Sequence, residues 1–349
     1  MNNQYFDIPV ALFIFRRTET VIRIIKVLEE VKPLRLYLIA DGPRNEEEKK
    51  EILETRKRIE ESINWNCEII KNYAVKNRGV YENIAGGAKW VFEREQSAIF
   101  LEDDNLPEVT FFQFCREMLE KYKENDRILW ICGTNYLEKF LTEEKESYVF
   151  TKHLMPCGWA SWAEKFNRYY DGDLKILEDK NLVKQMKNIY TNHALYKQQL
   201  VSANSEIYRR NKNKKYASWD FQMAISIRAN NLYGICPKYN QIKNIGVDLY
   251  SIHGGTSLSN EMTRRFCGIN SYPLEFPLKH PKIIAENIEF EKKVDKIILF
   301  PLKMRIKEAI AVAIKTLFGI SRYEKFTLDN IKKGKWSRKI WFYKNTNKI

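Results

Sequence analysis

The chain has 349 residues, of which 44% are hydrophobic and 13% aromatic, and it carries a net charge of +14. Such a composition can bury enough apolar surface to offset the ordering entropy, which excludes a disordered polymer and favours one large or two closely packed domains. The six cysteines form no C-x-x-C pair, which excludes a zinc ribbon or a dense disulfide scaffold and favours a cytoplasmic setting. No segment reaches the roughly 18 apolar residues that a membrane-spanning helix needs.

The positive charge is concentrated at the C-terminus, where 13 lysines and arginines stand against three acids between Pro301 and Ile349. This tail has two interpretations, both left open. Its apolar residues lie near one face of a predicted helix with lysines outside that face, as in an anchor on an anionic membrane surface. They are Leu302, Ile306, Ile310, Ile314, Leu317 and Phe318. The alternative is an ordinary helix that packs on the core and has a solvated basic end.

The first 130 residues alternate short apolar runs with longer helical patterns, as the βαβ units of a parallel sheet do. Strands are predicted at "VALFIF", "LRLYLIAD", "CEIIKN", "SAIFLEDD" and "RILWICG". Helices are predicted at "TETVIRIIKVLEEV", "NEEEKKEILETRKRIEESI", "VYENIAGGAKWVFERE" and "LPEVTFFQFCREMLEKYK". Pro107 is expected in the first turn of the last of these helices. The pattern predicts an α/β fold with a mostly parallel sheet.

The sequence pattern changes after Thr151. This change predicts a second half of the chain that packs on the first sheet. A polar helical insertion is predicted from about Leu174 to Lys215, followed by "YASWDFQMAISIRANN" and a strand-like "YGICP". The predicted organisation is a first half over residues 1–135, a second half over 136–275 and a basic helical tail over 276–349.

Polar side chains gather where three of the predicted strands end. They are Arg16 and Arg17 after the first strand, Asp41 after the second, and Glu102, Asp103 and Asp104 at the fourth. Ligands of open parallel sheets bind beyond the carboxyl ends of the strands, so we expect a nucleotide site at this edge. Adjacent carboxylates can also hold Mg²⁺ or Mn²⁺. The alternative is a solvated turn in which Asp104 caps the next helix.

The segment "AIFLEDDNLPEVTFFQF" resembles the region around the "EDD" form of the DxD motif in GT-A-fold glycosyltransferases, and the N-acetylglucosaminyltransferase I family in particular. The resemblance implies a GT-A, Rossmann-like fold, to which this chain adds the helical insertion and the basic tail. It implies Asp104 as the ligand of Mn²⁺ or Mg²⁺, with Glu102 and Asp103 facing the donor sugar and the ribose. Residues 1–135 would then bind a nucleotide sugar, and 136–275 the acceptor.

Further segments upstream resemble the same family. "VALFIFRR" implies that Arg16 or Arg17 lies near the phosphates, and "LIADGP" implies that Asp41 contacts the uracil. "KNRG", which contains Arg78, is similar to a turn before the helix that faces the nucleotide. A strand-end Asp-Gly alone is more often a simple turn.

Downstream, "CGWASWAEKF" is similar to a segment on the acceptor side of the family's site, and "SWDFQMAI" resembles a helix start whose acid is the catalytic base. The resemblance therefore implies Asp220 as the base, and the alternative is a helix cap formed by Ser218 or Asp220. "SIHGGTSLSN" resembles a loop over the diphosphate, which makes His253 a candidate diphosphate or metal contact; the alternative is a structural histidine.

These features predict a metal-dependent, inverting glycosyltransferase that moves a hexosyl or N-acetylhexosaminyl unit from a UDP-sugar to a glycan or lipid-linked acceptor. We expect it to act in polysaccharide biosynthesis, in the cytoplasm or at the inner face of the cell membrane, with residues 301–349 on an anionic surface. One alternative is a sugar-phosphate nucleotidyltransferase, which the lack of a Gly-rich phosphate loop after the first strand disfavours. The other is a protein that binds nucleic acid or membrane through the tail, with nucleic acid the less favoured partner.

Overall fold

The computed structural model describes residues 5–247, 256–321 and 324. Side chains along the first strand, Val10–Ile14, alternate between two hydrophobic layers: Leu12 and Ile14 lie in one, and Ala11 and Phe13 in the other. Successive strand residues point to opposite faces of a sheet, so this strand is covered by core on both faces. Because both faces of this strand are buried, all five residues of "VALFI" are apolar.

The strands are β1 (Val10–Ile14), β2 (Arg35–Ala40), β3 (Glu68–Tyr73), β4 (Ser97–Glu102), β5 (Asn105–Pro107), β6 (Ile128–Cys132), β7 (Tyr148–Thr151), β8 (Trp159–Trp162), β9 (Tyr233–Pro237) and β10 (Ile242–Asn244). Eight of them form one sheet in the order β3-β2-β1-β4-β8-β6-β9-β7, in which β7 and β8 run against the other six. The predicted α/β class with a mostly parallel sheet is confirmed. Because β8 lies between β4 and β6, the two predicted halves share this sheet; the division at residue 135 stays a prediction.

The helices are α1 (Thr18–Val31), α2 (Glu46–Glu61), α3 (Gly87–Phe92), α4 (Val109–Lys121), α5 (Ala163–Tyr169), α6 (Lys180–Met186), α7 (His193–Asn213), α8 (Asp220–Ala229), α9 (Glu261–Cys267), α10 (Ile288–Ile298) and α11 (Leu302–Leu317). A π-helical turn, Glu82–Gly86, leads into α3, and two 3₁₀ turns, Lys175–Glu178 and Lys187–Ile189, flank α6. Helices α1 and α4 cover one face of the sheet, and α3, α5, α8 and α10 cover the other. Within the described ranges, none of the helices has the length and apolar character needed to cross a bilayer.

The segment after the acidic residues departs from the sequence prediction. Pro107 does not lie in a helix, because Asn105–Pro107 is β5 and pairs antiparallel with β10. The chain stays extended through Glu108, whose N–H donates to the carbonyl of Gln241 at 2.8 Å, and α4 begins only at Val109. The alternative in which Asp104 caps this helix is therefore also wrong. The physical reason is the pairing with β10, a distant part of the chain that local sequence patterns do not reveal.

An aromatic stack fills the layer on the α8 side of the sheet. Trp159 lies between Phe100 and Trp130, with ring centroids 4.0 and 4.1 Å away. Trp219 packs on the same stack, 5.7 Å from Trp159. Stacked rings bury a large apolar area in a fixed geometry. The stack therefore anchors the residue before Asp220 on the strand that ends in the acidic residues.

A buried ionic cluster ties α8 to α10. Arg228 of α8 donates from Nη2 to Glu291 Oε2 at 3.2 Å and to His153 Nδ1 at 3.2 Å. His153 Nε2 lies 3.2 Å from Asp295 Oδ1. Burial acts to raise the pKa of Glu291, but its interactions with His153 and with the Arg228 guanidinium, and the hydrogen bonds from the Thr151 hydroxyl and the Lys152 N–H, outweigh burial and the pKa lies below its usual value. The cluster therefore keeps the Glu291 carboxylate charged inside the protein.

Replacing Arg228 with methionine should lower the free energy of unfolding by about 3–5 kcal/mol, because the buried Glu291 carboxylate would lose its guanidinium partner. Urea denaturation measures this change. The control is Arg58→Met, because Arg58 pairs with Glu19 on the surface and loss of such a pair costs about 1 kcal/mol or less. Equal effects of the two substitutions would show that the cluster does not stabilise the fold.

Candidate functional site

Carboxylates from β4 meet an arginine from the end of β1. The two strands are parallel neighbours, with Phe13 opposite Glu102 in the register, so the residues that follow each strand lie at the same edge. Arg17 Nη1 donates to Asp103 Oδ1 at 2.9 Å and to Asp104 Oδ2 at 3.3 Å. One guanidinium therefore bridges two of the three predicted acids.

Burial and mutual repulsion change the proton affinity of these acids. Burial, followed by the charge of Asp104, raises the pKa of Asp103 to about 6, although Arg17 opposes this shift. Burial also raises the pKa of Glu102 well above its usual value, and the charges of Asp104, Asp103 and Asp220 add to the effect. Both shifts show that the charged forms of these acids repel one another in a buried setting, and a further cation bound there would stabilise those charged forms.

Asp220 lies within electrostatic range of the acids. Burial raises the pKa of Glu102, of Tyr136 and of Cys157, and the charge of Asp220 adds to this shift in each of them. Asp220 is the first residue of α8, and the cap position before it is taken by Trp219, whose side chain makes no capping bond. The Asp220 carboxylate accepts a hydrogen bond from the Ser218 hydroxyl. The helix-cap alternative for Asp220 is therefore not what the structure has.

The short β5–β10 pair contacts a second side of the turn at Asp103 and Asp104, which is called the acidic turn below. The Ile245 N–H donates to the carbonyl of Asp104 at 2.9 Å, and Arg17 Nη2 donates to the carbonyl of Gly246 at 3.1 Å. A Cβ at Gly246 would lie 2.4 Å from Asp104 Oδ2, so only glycine allows this approach. His253, the predicted diphosphate or metal contact, lies outside the described residues and stays a prediction.

Asn105 is a member of the site that sequence reasoning missed. Its Nδ2 donates to Asp104 Oδ1 at 2.6 Å, and its Oδ1 accepts from the Gly158 N–H at 2.8 Å. Gly158 has φ of 61°, in the left-handed region that suits glycine. Within the predicted acceptor-side segment, Gly158 thus contacts the acidic turn, whereas Trp159 is 1% exposed and lies in the core. The available sequence signal for Asn105 was its position as a polar residue directly after three acids. Its contact with Gly158 had no such signal, because Gly158 is distant in sequence.

The two candidate arginines have different partners. Arg16 donates to Glu48 Oε1 at 2.9 Å and to Glu51 Oε2 at 2.6 Å, both on α2. Arg17 makes the contacts with Asp103 and Asp104 described above. Of the two, the structure therefore brings Arg17 to the acids, and the predicted role of either in phosphate binding stays a prediction.

Asp41 organises the loop that contains Arg78. Asp41 Oδ1 accepts from the Arg78 N–H at 2.6 Å, and Oδ2 accepts from the Gly79 N–H at 3.1 Å and from Asn77 Nδ2 at 2.8 Å. The Arg78 guanidinium in turn donates to Asn83 Oδ1 at 2.9 Å. The end of β2 and this loop form one hydrogen-bonded unit. The predicted contact of Asp41 with uracil is not tested by the structure.

The acids fit a hard divalent cation in donor type. Across the described ranges, no three His, Cys, Asp or Glu side chains converge as a complete protein-built metal site. Carboxylate oxygens are the ligands that Mg²⁺ and Mn²⁺ prefer, and an ion bound to a diphosphate needs only one or two from the protein. Asp103 and Asp104, which already share the cationic Arg17, can supply that number.

Comparisons with known proteins show only distant likenesses. No protein-family model and no curated protein matches the sequence. The chain is similar to the apo structure of mouse xyloside xylosyltransferase 1, at 8% identity over 64% of this chain and 82% of that one, with a TM-score of 0.35. It is also similar to an active-site mutant of LgtC, at 10% identity over 85% and 99% of the two chains, with a TM-score of 0.34.

A third similar structure is UDP-glucose pyrophosphorylase complexed with UDP-glucose, at 10% identity over 68% of this chain and 91% of that one, with a TM-score of 0.32. At such TM-scores these likenesses do not decide the activity of this chain. The resemblance to the N-acetylglucosaminyltransferase I family stays a prediction.

Replacing Asp41 with alanine should speed hydrogen exchange at the Arg78 and Gly79 amides about tenfold or more, because both lose a charged acceptor. Hydrogen exchange followed by mass spectrometry of the 76–80 peptide measures this change. The matched control is Asp179→Ala, which removes a carboxylate that caps α6 through the Asn181 N–H. Unchanged exchange in the Asp41 variant would contradict the assignment of Asp41 as the organiser of this loop.

Proposed function

We propose that the chain is a metal-dependent glycosyltransferase that moves a sugar from a UDP-sugar to a hydroxyl group, with inversion at the anomeric carbon. The observation that supports this most is the contact of Arg17 with Asp103 and Asp104 at the carboxyl edge of the parallel strands, with Asp220 within electrostatic range of Glu102. Ligands of open parallel sheets bind at that edge. The cluster combines acids suited to a metal diphosphate with a further carboxylate suited to proton transfer.

On the donor side, Asp104 is the proposed metal ligand, with Asp103 beside it. Bound Mn²⁺ or Mg²⁺ would neutralise negative charge on the departing diphosphate. Glu102 and Asp103 face the donor sugar and the ribose in this proposal. Arg17 carries a planar guanidinium, which binds phosphate oxygens well, and it is the proposed phosphate contact from β1. The hydrogen-bonded loop of Asp41 and Arg78 is the proposed uracil side of the site.

On the acceptor side, Asp220 is the proposed general base. An acceptor hydroxyl is a weak nucleophile until its proton is removed, and Asp220 would take that proton. The acceptor oxygen then forms a bond to the anomeric carbon while the bond from that carbon to the diphosphate oxygen breaks, and UDP leaves with the electron pair. Attack opposite the leaving group inverts the anomeric centre. A carboxylate held at a helix start on a rigid aromatic stack suits this role, because positioned proton transfer depends on geometry.

The transferred unit is proposed to be a hexosyl or N-acetylhexosaminyl group, and the acceptor a glycan or a lipid-linked glycan. Both follow from the resemblance of "AIFLEDDNLP" and "SWDFQMAI" to the glycosyltransferase family named above.

Replacing Asp220 with asparagine should lower the rate of sugar transfer by about 100- to 10,000-fold, because the amide cannot accept the proton. Affinity for UDP in the presence of Mn²⁺, measured by calorimetry, should not change.

Asp104→Ala should abolish transfer and also weaken the Mn²⁺-dependent binding of UDP. Transfer is followed as UDP released from a panel of UDP-hexoses and UDP-N-acetylhexosamines. The matched control is Asp126→Asn, which changes a carboxylate that is 70% exposed.

Two outcomes would contradict these assignments. Full turnover by the Asp220→Asn variant would exclude Asp220 as the base. Release of pyrophosphate from a sugar phosphate and UTP, without UDP release from any UDP-sugar, would identify a sugar-phosphate nucleotidyltransferase instead.

A further inference from the structure

Helix α11 turns its polar side toward the protein. Arg305, Glu308, Ala311, Ile314 and Lys315 are partly buried and are spaced so that they lie toward one side of the helix. Lys315 shares a groove with residues of α7, among them Tyr208. Partial burial also raises the pKa of Glu308 and lowers that of Lys315. The protein-facing side of α11 thus contains three charged residues beside Ala311 and Ile314.

The opposite side of α11 is an exposed apolar stripe, defined by Leu302, Ile306, Ile310, Ala313 and Leu317. The four large members are 65%, 51%, 54% and 57% exposed in that order, and none of the residues of α11 is buried. A helix that belongs to a protein core shows the reverse arrangement, with its apolar face inward. The exposed stripe therefore favours the interpretation of this helix as a surface anchor over that of an ordinary helix packed on the core.

Basic residues border the apolar stripe. At 3.6 residues per turn, Lys303 and Lys307 fall beside Ile310 on one edge, and Arg305 lies beyond the other edge. Glu308 is the single acid of α11, and it lies on the protein-facing side. Long basic side chains can lie along an apolar surface while their charged ends reach outward. The exposed surface of α11 therefore combines the apolar stripe with positive edges, and the exposed Met304 and Val312 add apolar area outside it.

We propose that α11 lies on an anionic lipid surface, with the apolar stripe in the boundary between head groups and acyl chains. The charges favour this occupant over a second copy of the chain. A two-fold contact through the stripe sets the same patch of each copy against the other, so the lysines of both copies, Lys303 and Lys307, would be brought to one interface. Residues 325–349 are also a poor cover, because they contain eight lysines and arginines and one acid, Asp329. An anionic bilayer offers both an apolar interior and a negative surface.

This inference does not depend on the proposed function, so either can fail without the other. The test is flotation of the full chain with vesicles of pure phosphatidylcholine and with vesicles of equal parts phosphatidylcholine and phosphatidylglycerol. We expect binding to the anionic vesicles only, and a decrease as salt is added. Ile306→Gln with Ile310→Gln should lower the partition coefficient about tenfold or more, because apolar area is lost from the interface. Lys303→Gln with Lys307→Gln should lower it about fivefold per lysine.

The matched control is Leu53→Gln with Val75→Gln, which changes two exposed apolar residues elsewhere, 55% and 85% exposed. These substitutions should leave vesicle binding unchanged. Vesicle binding that survives loss of Ile306 and Ile310 would overturn the proposal, because the contact would then lie outside α11. The absence of binding to the anionic vesicles would also overturn it, and a dimer that the Ile306→Gln, Ile310→Gln variant converts to a monomer would then identify a second copy as the cover of the stripe.

Discussion

Arg17 bridges Asp103 and Asp104, and this pair of contacts is the interaction on which the candidate site depends. Parallel pairing of β1 with β4 places several carboxylates at one buried edge, where their mutual repulsion is poorly screened. Arg17, which lies between β1 and α1 in the chain, offsets part of that repulsion. The positive charge it offers is smaller than the negative charge that Glu102, Asp103 and Asp104 can carry. Among the described residues of this edge, three carboxylates therefore stand against the one guanidinium that bridges two of them, which suits a ligand that brings its own cation.

The second half of the chain adds Asp220 to this site through two buried features. The aromatic stack holds Trp219 against Trp159 and so fixes the start of α8 relative to the sheet. The ionic cluster of Arg228 and Glu291 fixes the other end of the helix against α10. A helix fastened at both ends presents its first side chain in a defined direction, which proton transfer requires. The hydrophobic and ionic contacts of the core thus have a direct consequence for the geometry of the site.

The regular elements could be predicted from the sequence because their signals are local. Apolar runs located β1 to β4, and the 3.6-residue period gave α1 with the bounds that the structure has. Contacts between distant segments could not be predicted in this way. The pairing of β5 with β10, the bond between Asn105 and Gly158 and the choice of Arg17 over Arg16 all depend on tertiary proximity. The side of α11 that faces the protein was hidden for the same reason, since the sequence gives the period of a helix and not the side that meets the protein.

The central claim is that Asp104 holds a metal ion that is bound to the diphosphate of UDP, with Asp220 on the acceptor side of the same cluster. Anomalous diffraction from crystals grown with UDP and Mn²⁺ tests it most directly. The account predicts a manganese peak within bonding distance of the Asp104 carboxylate and of the UDP diphosphate, with uracil near the Asp41 loop. A manganese–UDP complex that binds away from Asp104 would contradict it.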